Sequence, residues 1–352
     1  MRRLAAVLAL SLLSCRAPPS FRVTNAAEDG LVPRTAWIQG RDGGPSSLAF
    51  GRTVWTYGDT VLNDPDEDGT SWHTNSYGHA DPARWREGFV EPVDSVGAPR
   101  FFIELTAEEK AWNALHGPEE CDEPPCGVMW ALWPSAPMMD PAGDRAWILY
   151  GLFNSEHPSG IGVASWAGLD QPVVRHRIGD SWLLFPEPQP EWANAPVIFD
   201  GSLYAFACPR EGLARPCSIG RAPLDAVDEP SAWRFFDGDA WSPDMDDADE
   251  LFHGAPIMEV TWIEPLHSWL LAYSDPFDND VVARTAPALE GPWSREEVLF
   301  TVDGDAPYDI AIHGELAEDD GLTQFITFSR PTDQGWFGAE HVIWRVTFQP
   351  AS

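Results

Sequence analysis

The sequence predicts an all-β chain folded as a five-bladed β-propeller with a long insertion between blades 1 and 2. Three observations carry this: a motif repeated along the chain, short apolar runs that follow each copy, and scarce helical periodicity. Ser135-Ala136-Pro137, Asn194-Ala195-Pro196, Gly254-Ala255-Pro256 and Asp305-Ala306-Pro307 open four similar segments, and Gly44-Pro45 opens an N-terminal fifth. Copies of about fifty to sixty residues with three or four strands each suit propeller blades. A β-sandwich array is the alternative reading of the same strands.

After each opening and a turn comes a run of aromatic and β-branched residues: 53–57, 147–150, 203–207, 269–273 and 325–328. A further strand recurs at 161–166, 217–222, 281–285 and 341–347. Runs this short, bounded by Asp-Gly and proline turns, read as strands rather than helices. The one helix the composition supports is 106–115, rich in Ala and Glu and carrying Lys110. It lies in the insertion, which is expected to roof one face of the central funnel.

The composition narrows the partners. There are 55 acidic against 22 basic residues, a formal charge of -33, and Lys110 is the only lysine. Such a surface repels phosphate backbones, so nucleic acid is excluded and a neutral or cationic ligand favoured. Cys121 and Cys126 bracket four residues, Cys208 and Cys217 bracket eight, and each pair can close a short disulfide loop in an oxidising compartment. Neither pair has the two-residue ligand spacing of a zinc site.

The N-terminus carries Arg2 and Arg3, an apolar stretch over 4–13 that is too short to span a bilayer, and small residues before Cys15. This order resembles a bacterial lipobox. The resemblance implies a signal peptide over 1–14, a lipid on Cys15, a tether over 15–25 and the propeller over 26–352. Arg16 in place of an aspartate implies sorting to the outer membrane of a Gram-negative host. The chain is then an extracytoplasmic monomer that touches the membrane only through that lipid. An ordinary secretory signal is the alternative.

A second resemblance covers nearly the whole mature chain. Residues 39–44 (Gln39-Gly40-Arg41-Asp42-Gly43-Gly44), 51–60 and Asn75-Ser76 resemble the opening blade of domain-of-unknown-function family 4185. Residues 230–238 with Trp241-Ser242 are similar to its third blade, and 284–294 to its fourth. Some members are endo-acting arabinan hydrolases on a five-bladed propeller related in architecture to glycoside hydrolase family 43. The resemblance implies an arabinan-type or other polysaccharide as ligand and glycosidic hydrolysis as activity. A non-catalytic carbohydrate- or protein-binding lipoprotein is the alternative.

Glycoside hydrolysis needs two carboxyl groups flanking the scissile bond. Asp42, before the innermost strand of the first blade, and Asp59, at the end of the next, are the expected pair, since antiparallel neighbours place the start of one strand beside the end of the other. Close like charges raise one pKa and keep a carboxyl protonated. Glu259 or Glu315 is expected to add a third acid. Asn75, His313, Glu315 and Trp336 are the expected substrate contacts, with Trp72, Trp130 and Trp133 as further candidate platforms for sugar rings. In related propeller hydrolases a central histidine often sits by a cation, which the resemblance extends to His313. No cofactor is required. A calcium ion is an optional ligand of Asp64, Asp66 and Asp68, whose alternate spacing before Gly69 matches a calcium loop, although Asn75 stands where an EF-hand has its bidentate glutamate.

Overall fold

The computed structural model describes residues 17–117, 121–212, 214–275, 278–304 and 307–351, with the side chain of Trp336 also left undescribed. Its strands form five antiparallel sheets around one axis. Blade 1 holds Ile38–Ala49, Arg52–Leu62 and the short Trp72–His73 and Ser76–Ala80. Blade 2 is built on Ala131–Pro134, Ala146–Phe153 and Gly160–Trp166, blade 3 on Asn194–Phe199, Ser202–Ala207 and Pro216–Pro223, and blade 4 on Met258–Ile263, Ser268–Ser274, Asp280–Ala286 and Glu297–Thr301. Blade 5 holds Tyr308–Ile312, Thr323–Thr332 and Gly335–Pro350. The first strand of each blade is innermost, continued in blade 2 by Met138–Met139, and these inner segments adjoin one another in cyclic order.

The second strands are buried on both faces. Ala146–Phe153 reads AWILYGLF with seven of its eight residues buried, because each blade is covered on both sides by its neighbours. Each of the five blade junctions accordingly has its own apolar cluster. Trp55, fully buried between blades 1 and 5, stacks on the His313 ring at 4.0 Å and on Trp85 at 5.8 Å. Truncating a core aromatic of this kind costs about 3–5 kcal/mol.

The ring is closed by a strand the sequence did not suggest. Phe21–Leu31 pairs antiparallel with Gly335–Pro350 as the outermost strand of blade 5. Residues 21–25, expected in a tether, are therefore part of the propeller. The backbone of residues 17–20 already touches blade 4, through Ser20 N–H to Thr285 and Arg295 N–H to the Ala17 carbonyl.

The expected helix forms as Ala107–Leu115, with Thr106 and Glu109 making a reciprocal cap at its N-terminus. It does not roof the funnel. Its Glu109 pairs with Arg175 on blade 2 and its Asn113 with the backbone of Trp130, which docks it on the rim of that blade. Both expected disulfides are present. Among the described residues no helix is long and apolar enough to cross a membrane.

Candidate active site

The inner strands begin at one end of the axis, where they surround a cavity of ≈ 360 Å³. Three of them shift register there, in blades 1, 3 and 5, which re-aims side chains, and in blades 1 and 5 the shift carries an acid. In blade 1 the pairing shifts between Arg41 and Gly43, so Asp42 lies within a bulge of the inner strand rather than before it. Arg41 turns to the other side, stacks over Tyr57 at 3.5 Å and pairs with buried Glu91, while Asp42 lines the cavity. In blade 5 the register shifts between Tyr308 and Ala311. Asp309 sits in that shift with a left-handed backbone, φ 58°, a conformation that persists in a non-glycine residue only when its surroundings impose it.

The two bulges hold each other. Gly43 N–H donates to Asp309 Oδ2 at 2.9 Å. Gly58 must lack a side chain, because a Cβ there would lie 2.5 Å from Asp42 Oδ1. Burial, then the charges of Asp309 and Asp59, raises the Asp42 carboxyl well above the usual range. Burial pushes Asp309 up to about 7 against the donors Gly43 N–H and Tyr308 O–H. Asp42 and Asp309 thus titrate as a pair, one proton being shared where both charges cannot be sustained.

Glu259 stands on blade 4, two blades from Asp42, and lines the same cavity. Burial, then the charge of Glu315, lifts its carboxyl to about 8. Glu315 is nearby because Gly314 packs directly on Thr261, which shares a strand face with Glu259. Hydrogen bonding distinguishes the two glutamates. Glu315 accepts from the hydroxyls of Ser46 and Thr53, whereas no hydrogen-bond donor among the described residues reaches the Glu259 carboxyl. Donors favour the charged form. Burial raises Glu315 too, but its two hydroxyl donors oppose the rise, while no hydrogen bond opposes it at Glu259.

His313 belongs to this lower layer and not to the ligand surface. It is fully buried, its Nδ1 2.6 Å from Ser46 Oγ and its Nε2 2.8 Å from Thr327 Oγ1. Burial lowers it to about 3, so the ring is neutral. Ser46 has one hydrogen to give, and since it goes to Glu315, His313 Nδ1–H must donate to Ser46 and Thr327 O–H to Nε2.

Asp59 is beside Asp42, whose carboxylate its backbone N–H reaches, but it does not line the cavity. Its carboxylate accepts from the Trp72 and Trp133 indoles, and burial raises it to about 6. Trp133 lines the mouth, 43 % exposed and 4.9 Å from the Phe153 ring. Asn75 is not a ligand contact. It is fully buried, and its amide is spent on the backbone of Phe102 and Ile103, tying the insertion to blade 1. Glu315 likewise does not line the cavity, and Trp130 lines a different recess. In the acidic loop, Asp66 is occupied by Asp68 N–H, Thr70 N–H and His73, while Asp64 and Asp68 point to solvent. Among the described residues no group of three or more His, Cys, Asp or Glu is arranged to hold a metal. Cys15, the side chain of Trp336, and Asp305 and Ala306 of the last repeat copy lie outside the described residues.

Asp309 and Tyr308 are the residues that sequence reasoning missed. A signal existed: an acid stands within three residues of the repeat proline in both Pro256-Ile257-Met258-Glu259 and Pro307-Tyr308-Asp309.

Fold and cavity together define a five-bladed propeller whose axial cavity is lined by acids. Residues 166–327 match the model of the domain of unknown function DUF4185, in agreement with the resemblance in the sequence; the match takes in Glu259 and Asp309 but ends short of Asp42. Similar solved structures include a provisionally assigned hydrolase from Bacteroides ovatus ATCC 8483, 15 % identical, covering 90 % of this chain and 87 % of that one, with a TM-score of 0.61. A glycoside hydrolase family 62 α-L-arabinofuranosidase from Coprinopsis cinerea, 10 % identical, covers 95 % and 100 % with a TM-score of 0.53. A family 117 glycoside hydrolase from Zobellia galactanivorans, also 10 % identical, covers 94 % and 90 % with a TM-score of 0.51. At such identities the likeness is one of fold. No curated protein sequence matches the chain.

Proposed function

We propose that this protein is a glycoside hydrolase acting on arabinan-type or related polysaccharides, exported and held at a membrane by a lipid on Cys15. The observation that carries the reading is that Glu259, its carboxyl raised by burial to about 8, lines one cavity with the Asp42–Asp309 pair. Glu259 gives its proton to the glycosidic oxygen as the bond to the leaving sugar breaks. The ionised member of the aspartate pair stabilises the positive charge that grows on the anomeric carbon, and either bonds to that carbon or takes a proton from the attacking water. Asp59 keeps negative charge behind Asp42, and Trp133 offers a flat apolar face at the mouth. The mechanism requires no cofactor. The pentofuranoside class draws support from the arabinofuranosidase among the fold relatives.

The test is to incubate the chain from residue 17 onward with arabinan, arabinoxylan, xylan and other polysaccharides and follow oligosaccharide release. The wild type should release product and Glu259→Gln should lose roughly 10²–10⁴-fold, the usual worth of a general acid. No release from the folded wild type, with sugar binding retained, replaces this reading by a carbohydrate-binding lipoprotein.

A further inference from the structure

We infer that the recess between the insertion helix and blade 2 is a second glycan-binding site, holding units of a neutral polysaccharide beyond those in the axial cavity. The inference rests on the carbohydrate reading of that cavity but not on catalysis there. The recess measures ≈ 490 Å³ and is lined by three partly exposed indoles, Trp112 from the helix, Trp130 ahead of the blade 2 inner strand, and Trp182 beyond its third strand. His116 covers a face of Trp112, His157 a face of Trp130, and Arg175 and Arg177 lie over Trp182. The indole surface left to the recess, with Glu108, Arg177 and Asp180 beside it, matches a ligand that has both C–H faces and hydroxyl groups. The strongly acidic chain disfavours an anionic one.

A polar group in the recess also lacks a partner. His157 is wedged between Trp112, at 4.5 Å and edge-on, and Trp130, stacked at 5.1 Å. Its Nε2 is enclosed without a hydrogen bond, a costly state that a ligand hydroxyl relieves only if the ring turns towards the recess. The helix is anchored by the Glu109–Arg175 pair, the Asn113–Trp130 bonds and Trp112 Nε1–H donating to the Val128 carbonyl.

The two sites share one end of the propeller and one hairpin. Ala131 pairs with Phe153 where the inner strand begins, and the turn carrying His157 follows directly. Gly151 and Phe153 line the cavity while Leu152 lines the recess. Trp130 and Trp133 are about 10 Å apart along the extended chain. A polysaccharide leaving the cavity past Trp133 therefore crosses the end of blade 2 onto Trp130.

The test is affinity electrophoresis through gels containing arabinan or xylan, in a Glu259→Gln background so that the polymer survives. Trp112→Ala and Trp182→Ala alter opposite walls, and each is checked for an unchanged melting temperature, so one folded variant suffices. Each should weaken retardation roughly three- to tenfold, the range of a single aromatic contact. Retardation unchanged in a folded variant, or absent in the parent protein, overturns the inference. Hydrolysis failing while retardation depends on these tryptophans removes the hydrolase reading alone; hydrolysis with retardation indifferent to them removes the second site alone.

Discussion

The protein treats two sets of acids in opposite ways. Behind the blades, Glu91 is matched by Arg41, and Glu109 by Arg175 through two hydrogen bonds of 2.6 and 3.0 Å. Around the cavity, Asp42, Asp59, Asp309, Glu259 and Glu315 have no arginine or lysine partner among the described residues. They receive only backbone N–H, hydroxyl or indole donors, and Glu259 receives none. Arg41 and Asp42 are neighbours in sequence, so the contrast is not one of available cations. The bulge sends one inward to neutralise Glu91 and the other into a cavity where charge is left uncompensated. An acid that serves the fold is neutralised, and an acid poised to exchange protons is not.

The contrast breaks most sharply in activity. Asp309→Asn should remove roughly 10²–10⁴-fold of oligosaccharide release, as Glu259→Gln does, and leave the melting temperature unchanged or higher; a variant that retains release takes Asp309 out of the site. Next in size is the structural set. Arg175→Met strands Glu109 without its partner and should cost about 3–5 kcal/mol in denaturant unfolding, while activity per folded molecule persists. Gly58→Ala sharpens the geometry. Its Cβ must displace the Asp42 carboxylate, so activity should fall roughly 10²-fold, as for a displacement of about 1 Å, without unfolding.

The smallest effect is on pH dependence. Folded Glu259 keeps its proton to about pH 8, while the unfolded chain releases it near 4.5. Its contribution to stability is therefore present in full below pH 4.5 and lost as pH rises towards 8. The wild-type melting temperature should decline between those values more steeply than that of Glu259→Gln; parallel curves would place the proton elsewhere.

Much of the blade pattern was legible because buried strands write it locally: the apolar runs at 147–150, 203–207 and 269–273 all became second strands. The Asp42–Asp59 proximity was legible for the same reason, since one hairpin carries both. What stayed hidden depends on contacts distant in sequence. Phe21–Leu31 finds its partner more than three hundred residues away. Asn75 looks like a free polar side chain until Phe102 and Ile103 fold onto it. Asp309 drew no role from the sequence, and the register shift in blade 5 and the approach of Gly43 bring it into the cavity.

The measurement closest to the central claim compares Asp42→Asn with Glu91→Gln, each assayed for melting temperature and oligosaccharide release on one preparation. The account predicts that Asp42→Asn melts at or above the wild type and releases nothing, whereas Glu91→Gln melts well below it and releases product wherever it is folded. An active Asp42→Asn, or one destabilised like Glu91→Gln, would contradict it.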